Sequence, residues 1–515
     1  MLLPPSLFLS VSSPPVVLVF PSGGDGRIYS PYTVDGSSCR YFDCICIRFT
    51  TTPIAVESFS DLRRSSRGQH FIGGVWTATA HVVTAVIGSG VLSLAWSVAQ
   101  LGWILGPTVL LVFALVTYYT AVLLSDCYRS PDPINGSRNY TYMEAVKACL
   151  GKTDVVVCGI AQYTSLWTTL VGYTNAAAVS MKSVKLANCY RLKGQGANCT
   201  ASVNMFMVIF GAMEIVLSQL PSLEKVTLLS VLAAAMSFTY SFIGLFLCAR
   251  RLEHNHEVRG SITGAMAGMS GVSKTTSVWY AFQALGNVAF AYSYSMIQVE
   301  IQDTLKSPPP ENKTMRRAAM YGIGSTTLFY VTIGCIGYAA FGNTAPGNLL
   351  TEFYEPFWLV HIANLALVIH LVGAYQVYGQ PFYAFCEKWL LKKWPSARFL
   401  HNVHSFRLVV PRPTTFRFTL CKLLLRTIIV AVTTLVSVAL PFFNSIVGFN
   451  GAISFWPLTV YFPIRMYMVQ TKVTIGCPKW WFLQCFSIVC LLVTVVATVG
   501  SVADIVQNLK HVELF

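Results

Sequence analysis

The 515-residue chain is 54% hydrophobic and only 11% charged, with a mean hydropathy of +0.56. Soluble domains carry about a quarter charged residues, so this composition excludes an ordinary soluble protein and indicates a membrane protein. The net charge of +15 does not indicate a nucleic-acid partner, because the basic residues cluster in short gaps between apolar stretches, as in loops that face anionic lipid.

The first 70 residues differ from the rest of the chain. They open with an apolar stretch that prolines interrupt, which favours neither a spanning helix nor a signal peptide. The basic run LRRSSR then precedes the first long apolar stretch. We predict that residues 1–70 form an irregular cytoplasmic region.

Eleven apolar stretches follow, each near the roughly 20 residues that span a bilayer core as a helix. They predict an all-α polytopic membrane protein with about eleven transmembrane helices. The predicted spans lie near 73–100, 103–125, 154–182, 203–221, 225–249, 277–302, 318–342, 356–386, 417–440, 445–469 and 479–505.

Charge in the gaps predicts the orientation. The gaps 126–153, 303–317 and 387–416 are rich in Lys and Arg, whereas the gaps after the seventh and ninth spans contain neither. The positive-inside rule therefore places the N-terminus in the cytoplasm and the short tail, 506–515, outside the cell. The loop 250–276 holds four basic residues and argues against this orientation, but long loops weigh less than short ones.

The loop after the third span carries two further features. Cys189 and Cys199 bracket a polar segment, and outside the cell this pair is a candidate disulfide. Asn198 is the one N-x-Ser/Thr acceptor that this orientation places outside, so it is a candidate glycosylation site. The sequence shows no metal-ligand motif, no nucleophile or metalloprotease motif and no Gly-rich phosphate loop, so we expect neither an enzyme nor a metal site.

Two spans contain interruptions at corresponding positions. The first span carries Gly88-Ser89-Gly90 at its centre, and the sixth carries Gly286-Asn287 followed by small and hydroxyl residues through Ser293. Polar interruptions at matching positions of two halves are typical of inverted-repeat transporters. The alternative is that the small residues serve only tight helix packing.

The repeat interpretation sets the domain organisation. Residues 71–505 form the transporter domain, with repeat 1 at about 73–249, repeat 2 at about 277–469 and an extra helix at about 479–505. Broken helices expose N–H groups to an anion and carbonyl groups to a cation, which together suit a zwitterion. The predicted substrate-binding residues are Ile87, Gly88, Ser89, Gly90, Val91, Asn287, Phe290, Ala291, Tyr292 and Ser293.

Several long runs resemble those of the plant amino acid permeases, of the amino acid/auxin permease superfamily. They include TATAHVVTAVIGSGVLSLAWSVAQLGW, NYTYMEAVKACLG, EIQDTLKSPPPENKTM, YAAFGNTAPGNLLT and GAYQVYGQPFYAF. The resemblance covers residues from about 65 to 505. It implies a five-plus-five inverted-repeat fold with broken helices 1 and 6, a plasma-membrane location, and inward symport of neutral and acidic amino acids with protons.

The resemblance leaves alternatives open. A carrier of GABA, proline or auxin belongs to the same superfamily, and a facilitator would move amino acids without coupling. The family usually has aspartate at the position of Asn287, a departure that bears on coupling or amine recognition. The expected partners are the amino-acid substrate and the lipid bilayer, with no nucleic acid, no obligate protein partner and no cofactor besides protons as the coupling ion.

Ionisable residues within spans are the candidates for proton coupling, because they are costly in lipid. His81 lies two helical turns before Gly88, so we expect it to line the same cavity, or else to pack between helices. Glu214 lies within the fourth span and is either protonated or paired. Glu300 closes the sixth span near Lys306, where a gate pair is the alternative.

Overall fold

A computed structural model of the protein describes residues 50–52, 73–194, 197–219, 223–267, 273–395, 397–408 and 414–510. The predicted N-terminal region therefore lies almost entirely outside the described residues, as does half of the predicted C-terminal tail. Most of the described residues are helical, which confirms the predicted fold class.

In the described residues up to 267, six α-helices are present. They are α1 (Val75–Val86), α2 (Leu94–Asp126), α3 (Tyr142–Leu150), α4 (Lys152–Lys193), α5 (Val203–Ser218) and α6 (Leu223–Asn255). A short 3-10 helix, Ser89–Ser93, links α1 to α2.

Nine further α-helices lie in the part of the chain described from residue 273 onward. They are α7 (Lys274–Ala291), α8 (Ser295–Asp303), α9 (Glu311–Phe341), α10 (Phe357–Lys393), α11 (Arg398–His401), α12 (Leu420–Ala439), α13 (Phe443–Ser454), α14 (Phe462–Gln470) and α15 (Pro478–Leu509). A π-helical turn, Phe455–Tyr461, joins α13 to α14.

Each predicted span coincides with a helix or with a pair of helical pieces. Within the described residues, seven helical segments are long and apolar enough to cross a membrane. The other four predicted spans correspond to α1, α5, the α7–α8 pair and the α13–α14 pair, which are short or interrupted. The total of eleven crossings stays a prediction.

The second half of the first span is continuous with the second span as α2, which bends at Gly102. This residue has φ +84, and an added Cβ would collide with the carbonyl oxygen of Ile262. Only glycine adopts this conformation without strain and admits such a close backbone neighbour. Gly102 thus turns the chain from the first span into the second against the segment that follows α6.

Two gaps that the sequence presented as loops contain regular structure. Strands β2 (Arg129–Ser130) and β3 (Ser137–Arg138) form a hairpin before α3. Strands β4 (Val403–Leu408) and β5 (Thr414–Thr419) pair antiparallel between α11 and α12. Both lie in gaps predicted to be cytoplasmic.

Part of the N-terminal region is not irregular as predicted. Thr50–Thr52 forms strand β1, which pairs antiparallel with β4 through Thr50–Ser405 and Thr52–Val403. Three consecutive β-branched residues fit a strand, and the free edge of β4 offers the backbone partners. The N-terminal strand and the α10–α12 connection are therefore on one side of the membrane domain.

Candidate functional site

The first span is broken where the sequence predicted. Helix α1 ends at Val86, Ile87 leaves the helical conformation with ψ 89, and the 3-10 helix begins at Ser89. All five residues of this 3-10 helix are buried. The break therefore lies inside the protein, where its backbone groups face other protein segments and no lipid.

The sixth span is broken as well. Helix α7 ends at Ala291, and the next helix, α8, begins at Ser295. The Ser293 hydroxyl donates to the Ala289 carbonyl over 2.8 Å, while the Ser293 N–H donates to the Phe290 carbonyl over 3.1 Å. These local bonds satisfy part of the backbone that the break releases.

The two breaks are in direct contact. A Cβ on Gly90 would lie 3.0 Å from the Ala291 Cα and 3.1 Å from the Phe290 Cδ1. The Tyr330 hydroxyl of α9 reaches both breaks, with the Val86 carbonyl as one acceptor and the Ala291 carbonyl, 3.3 Å away, as the other. Glycine at position 90 is what permits this approach.

A cavity lies between the breaks. Its volume is about 40 Å³, which is space for one or two water molecules. Three further helices, α4, α10 and α13, complete its wall. The lining residues are Ala85, Val86, Gly88, Ser89, Gly90, Ser165, Thr169, Tyr173, Phe290, Ala291, Ser293, Met296, Tyr378 and Asn450.

The cavity wall offers donors on one side. No hydrogen bond in the described part of the chain engages the N–H groups of Ser89 and Gly90, whereas the Val91 N–H bonds to the Gly88 carbonyl over 3.2 Å. The Ser89 hydroxyl is buried and also has no partner among the described residues. Two N–H groups at the start of a helix, with a hydroxyl beside them, form an anion site.

The cavity wall offers an acceptor on another side. The Asn450 amide nitrogen donates to the Thr169 hydroxyl over 2.7 Å, which fixes the orientation of the amide. The Asn450 Oδ1 atom is buried and lacks a donor within the described residues. An oriented carbonyl oxygen of this kind can accept a hydrogen bond from an ammonium group.

The predicted binding residues divide into two groups. Six line the cavity: Gly88, Ser89, Gly90, Phe290, Ala291 and Ser293. The other four, Ile87, Val91, Asn287 and Tyr292, are buried in the surrounding packing and do not line it.

Asn287 faces the tenth span and not the cavity. Its amide nitrogen donates to the Asn444 Oδ1 over 2.9 Å, and a Cβ on Gly448 would lie 2.9 Å from the Asn287 Oδ1. It lies one helical turn before the break, so its side chain points to a different neighbour from that of Phe290 or Ala291. Its part in substrate binding stays a prediction.

Eight cavity residues were missed from the sequence: Ala85, Val86, Ser165, Thr169, Tyr173, Met296, Tyr378 and Asn450. Their helices are apolar on most faces, so hydropathy does not show which face turns inward. A polar side chain within a predicted span, such as Thr169 or Asn450, could have indicated a cavity residue. Many other hydroxyl and amide residues also lie within spans, so this feature does not single out the cavity.

The three proton-coupling candidates differ in location. His81 is exposed and outside the cavity wall, contrary to the expectation that it lines the same cavity as Gly88. Seven residues extend about 10 Å along a helix, farther than this small cavity reaches. Glu300 is exposed near the end of α8. Glu214 is fully buried, and its Oε2 accepts a hydrogen bond from the Gln376 amide over 2.6 Å.

The end of α4 and the loop after it are joined by the disulfide that the sequence suggested. Cys189 and Cys199 form a disulfide with Cα atoms 6.1 Å apart. The neighbouring Asn198 is exposed. Of the other acceptor sequences, Asn139 and Asn312 are buried, and the Asn312 amide donates to Asp126 over 3.0 Å.

Comparison with known proteins places the chain in a family. The family model described as transmembrane amino acid transporter protein matches residues 72–507. Amino acid permease 3 of Arabidopsis thaliana is 50% identical over 445 residues, which cover 86% of this chain and 93% of the relative. Amino acid permease 4 of the same organism is 50% identical over 458 residues, covering 88% and 97%.

Among solved structures, the crystal structure of MhsT in complex with L-phenylalanine aligns with a TM-score of 0.45 and 10% identity. It covers 82% of this chain and 98% of that one, a likeness too distant to inform on the site. The sequence relatives carry the assignment: this chain is a multi-pass membrane protein and belongs to the plant amino acid permease family.

Proposed function

We propose that the protein imports amino acids across the plasma membrane by symport with protons, and that the cavity between the two breaks binds the substrate. The observation that carries the proposal is the contact between the breaks, which places unpaired N–H groups and an unpaired amide oxygen around one cavity. The names of the related permeases support amino acids as the cargo.

The chemistry of the wall suits an α-amino acid. The substrate carboxylate would bind the N–H groups of Ser89 and Gly90, and the ammonium group would bind the Asn450 Oδ1. None of the described residues that line the cavity carries a formal charge. A neutral zwitterion therefore finds complementary dipoles, whereas an acidic side chain would lack a cationic partner. We propose neutral amino acids as the preferred substrates, ahead of acidic ones.

The size of the cavity implies movement on binding. A volume of about 40 Å³ is less than an amino acid requires. The ring pair Tyr173–Tyr378, with centroids 5.7 Å apart, and the half-buried Phe290 are the bulky side chains at its wall. Substrate entry would therefore displace these rings.

The coupling ion proposed is the proton. The Tyr330 hydroxyl is within reach of the Ala291 carbonyl and of the Val86 carbonyl, which also accepts the Gly88 N–H over 2.9 Å. A metal cation at the breaks would have to displace this hydroxyl, whereas proton coupling needs only a titratable group elsewhere in the helices.

The experiment is uptake and current measurement in oocytes at acidic and neutral external pH, with neutral and acidic amino acids, GABA, proline and auxin. We expect inward currents with neutral amino acids that increase at acidic pH. Saturable uptake without a pH effect would indicate a facilitator, and preference for auxin or GABA would contradict the proposed substrate class.

A matched pair of variants tests the site itself. Asn450→Leu removes the proposed ammonium acceptor and should raise KM about tenfold or more, because a hydrogen bond to a charged group contributes about 1.5–3 kcal/mol. Asn364→Leu is the control, since Asn364 is equally buried on α10 but does not line the cavity. Equal effects of both variants would contradict the proposed site.

A further inference from the structure

Glu214 is a buried carboxyl group without a cationic partner. Its exposed fraction is zero, and it lies in α5, within the predicted fourth span. Its Oε2 accepts the 2.6 Å hydrogen bond from the Gln376 amide, and its Oε1 has no partner among the described residues. An ionised carboxylate at such a position is costly, so proton binding changes the energy of this site strongly.

The charged groups around Glu214 are engaged elsewhere. Helices α4, α10 and α12 pack against α5. Arg426 of α12 donates to the Glu387 carboxylate over 3.1 Å and to the Ser218 carbonyl over 2.7 Å. Lys422 forms its ion pair with Glu387 as well. Tyr375 and Tyr383 of α10 interact electrostatically with Glu214, and Lys185 of α4 lies over the Phe206 ring.

Gln376 also lacks a partner on one side. Its Oε1 is buried and accepts no hydrogen bond within the described residues, like the Glu214 Oε1. An ionised Glu214 carboxylate can only accept hydrogen bonds, so it accepts one from the amide N–H of Gln376. A protonated Glu214 gains an O–H donor, and the Gln376 Oε1 is the available acceptor. Uptake of one proton on the Glu214 Oε1 therefore adds a second hydrogen bond to the pair, from Glu214 to the Gln376 Oε1, while the Glu214 Oε2 still accepts from the amide N–H.

The same turn of α10 reaches the substrate cavity. Tyr378, two residues after Gln376, lines the cavity and contacts the Tyr173 ring. Tyr375 packs edge-on against Phe210 of α5, with ring centroids 5.9 Å apart. The contact between α5 and α10 thus includes both the buried carboxyl and the helix turn that positions a ring at the cavity wall.

We propose that Glu214 binds the coupling proton and that Gln376 is the positioning residue through which its protonation alters Tyr378 at the substrate cavity. This inference rests on the proposed function and names the residue that would carry the coupling. Protonation of Glu214 removes its charge and engages the Gln376 oxygen in addition to the amide N–H. The helical turn 375–378 of α10 then takes a different position relative to the cavity.

The test uses purified full-length protein in liposomes and two assays, counterflow of a labelled neutral amino acid and accumulation driven by an imposed pH gradient. Glu214→Gln resembles the protonated carboxyl in shape. We expect it to keep counterflow, now independent of pH, and to lose accumulation by about tenfold or more. Gln376→Met should likewise keep counterflow and weaken pH-driven accumulation.

Asp504→Asn is the matched control. Asp504 is a buried carboxyl of α15 that accepts hydrogen bonds from Ser445 and Asn508, and it does not line the cavity. This variant should keep both activities with the pH dependence of the wild type. The double variant Glu214→Gln/Gln376→Met should lose no more accumulation than Glu214→Gln alone, because both changes act on one step.

The outcomes separate the two proposals. Wild-type protein without amino-acid counterflow would refute the proposed function itself. Wild-type counterflow without pH-driven accumulation would refute proton coupling and the role of Glu214 together. Accumulation by Glu214→Gln at the wild-type level, or normal coupling in Gln376→Met together with loss of counterflow in a folded Glu214→Gln, would overturn the inference about Glu214 alone.

Discussion

Gly88 and Gly90 belong to the same short motif but meet different surroundings. A Cβ on Gly90 would lie 3.0 Å from the Ala291 Cα, in backbone that cannot move aside easily, whereas a Cβ on Gly88 would meet nothing within 4 Å. Gly90→Ala should therefore force the two breaks apart and lower transport about tenfold or more, as overpacking of a tight site does. Uptake at matched surface expression measures this.

Gly88→Ala is the comparison for that prediction. Its methyl group enters open space at the cavity wall, so the thermal midpoint should stay near that of the wild type. The smaller cavity should weaken transport of large amino acids more than that of small ones. Equal loss of transport in the two variants would show that the contact between the breaks has no special role.

The site illustrates what a sequence reveals at the scale of residues. Gly88, Ser89 and Gly90 were predicted because glycine and serine are conspicuous at the centre of an apolar helix. Tyr173 and Tyr378 were not, since an aromatic residue in a span usually packs in the core or at an interface. Their rotation toward the cavity depends on helix packing, which one sequence does not specify.

At the scale of elements, an ion-pair cluster fastens α9 to the β2–β3 hairpin. Glu311 at the start of α9 pairs with Arg129 over 2.7 Å and with Arg138 over 2.9 Å, and its side chain is only 2% exposed. Glu311→Gln should destabilise the fold by about 2 kcal/mol, because removing the anion leaves two cations facing each other. The thermal midpoint in detergent measures the loss.

Glu253→Gln is the control for the ion-pair prediction. Glu253 lies near the end of α6 and is exposed, so its neutralisation should change the thermal midpoint little. Equal midpoints for Glu311→Gln and the wild type would mean that the hairpin does not depend on the cluster.

Helical elements were largely predictable, because apolar runs and their glycine interruptions follow directly from the bilayer as solvent. The small strands were not. β2 and β3 are two residues each, and β4 pairs with β1 across more than 350 residues of chain. Such pairing is determined by which loops the helices bring together, and that arrangement exists only in the assembled fold.

At the scale of the molecule, the connections gather into two groups. β1 and the β4–β5 hairpin are together in one, on the side predicted to be cytoplasmic. In the other group Gly102 meets Ile262, and the Arg259 N–H donates to the Ala339 carbonyl over 3.0 Å. If successive spans cross the membrane in opposite directions, the loops between them must fall into these two groups, whichever group is cytoplasmic.

Glycosylation distinguishes the two orientations. If the N-terminus is cytoplasmic, the exposed Asn198 should carry a glycan, so Asn198→Gln should abolish the mobility shift caused by glycosidase treatment. Asn135, exposed between β2 and β3, should be unmodified, and Asn135→Gln should leave the shift intact. A shift that depends on Asn135 and not on Asn198 would reverse the assignment.

The Tyr330 hydroxyl has a single hydrogen but two carbonyl neighbours, Ala291 in the sixth predicted span and Val86 in the first, which also accepts the Gly88 N–H. At any instant only one of them receives that hydrogen, and the other is left with an available lone pair. A motion that draws the breaks apart must end with the tyrosine attached to one break and detached from the other. The carbonyl that Tyr330 keeps therefore decides which broken helix travels with α9 and which is left to meet water or substrate.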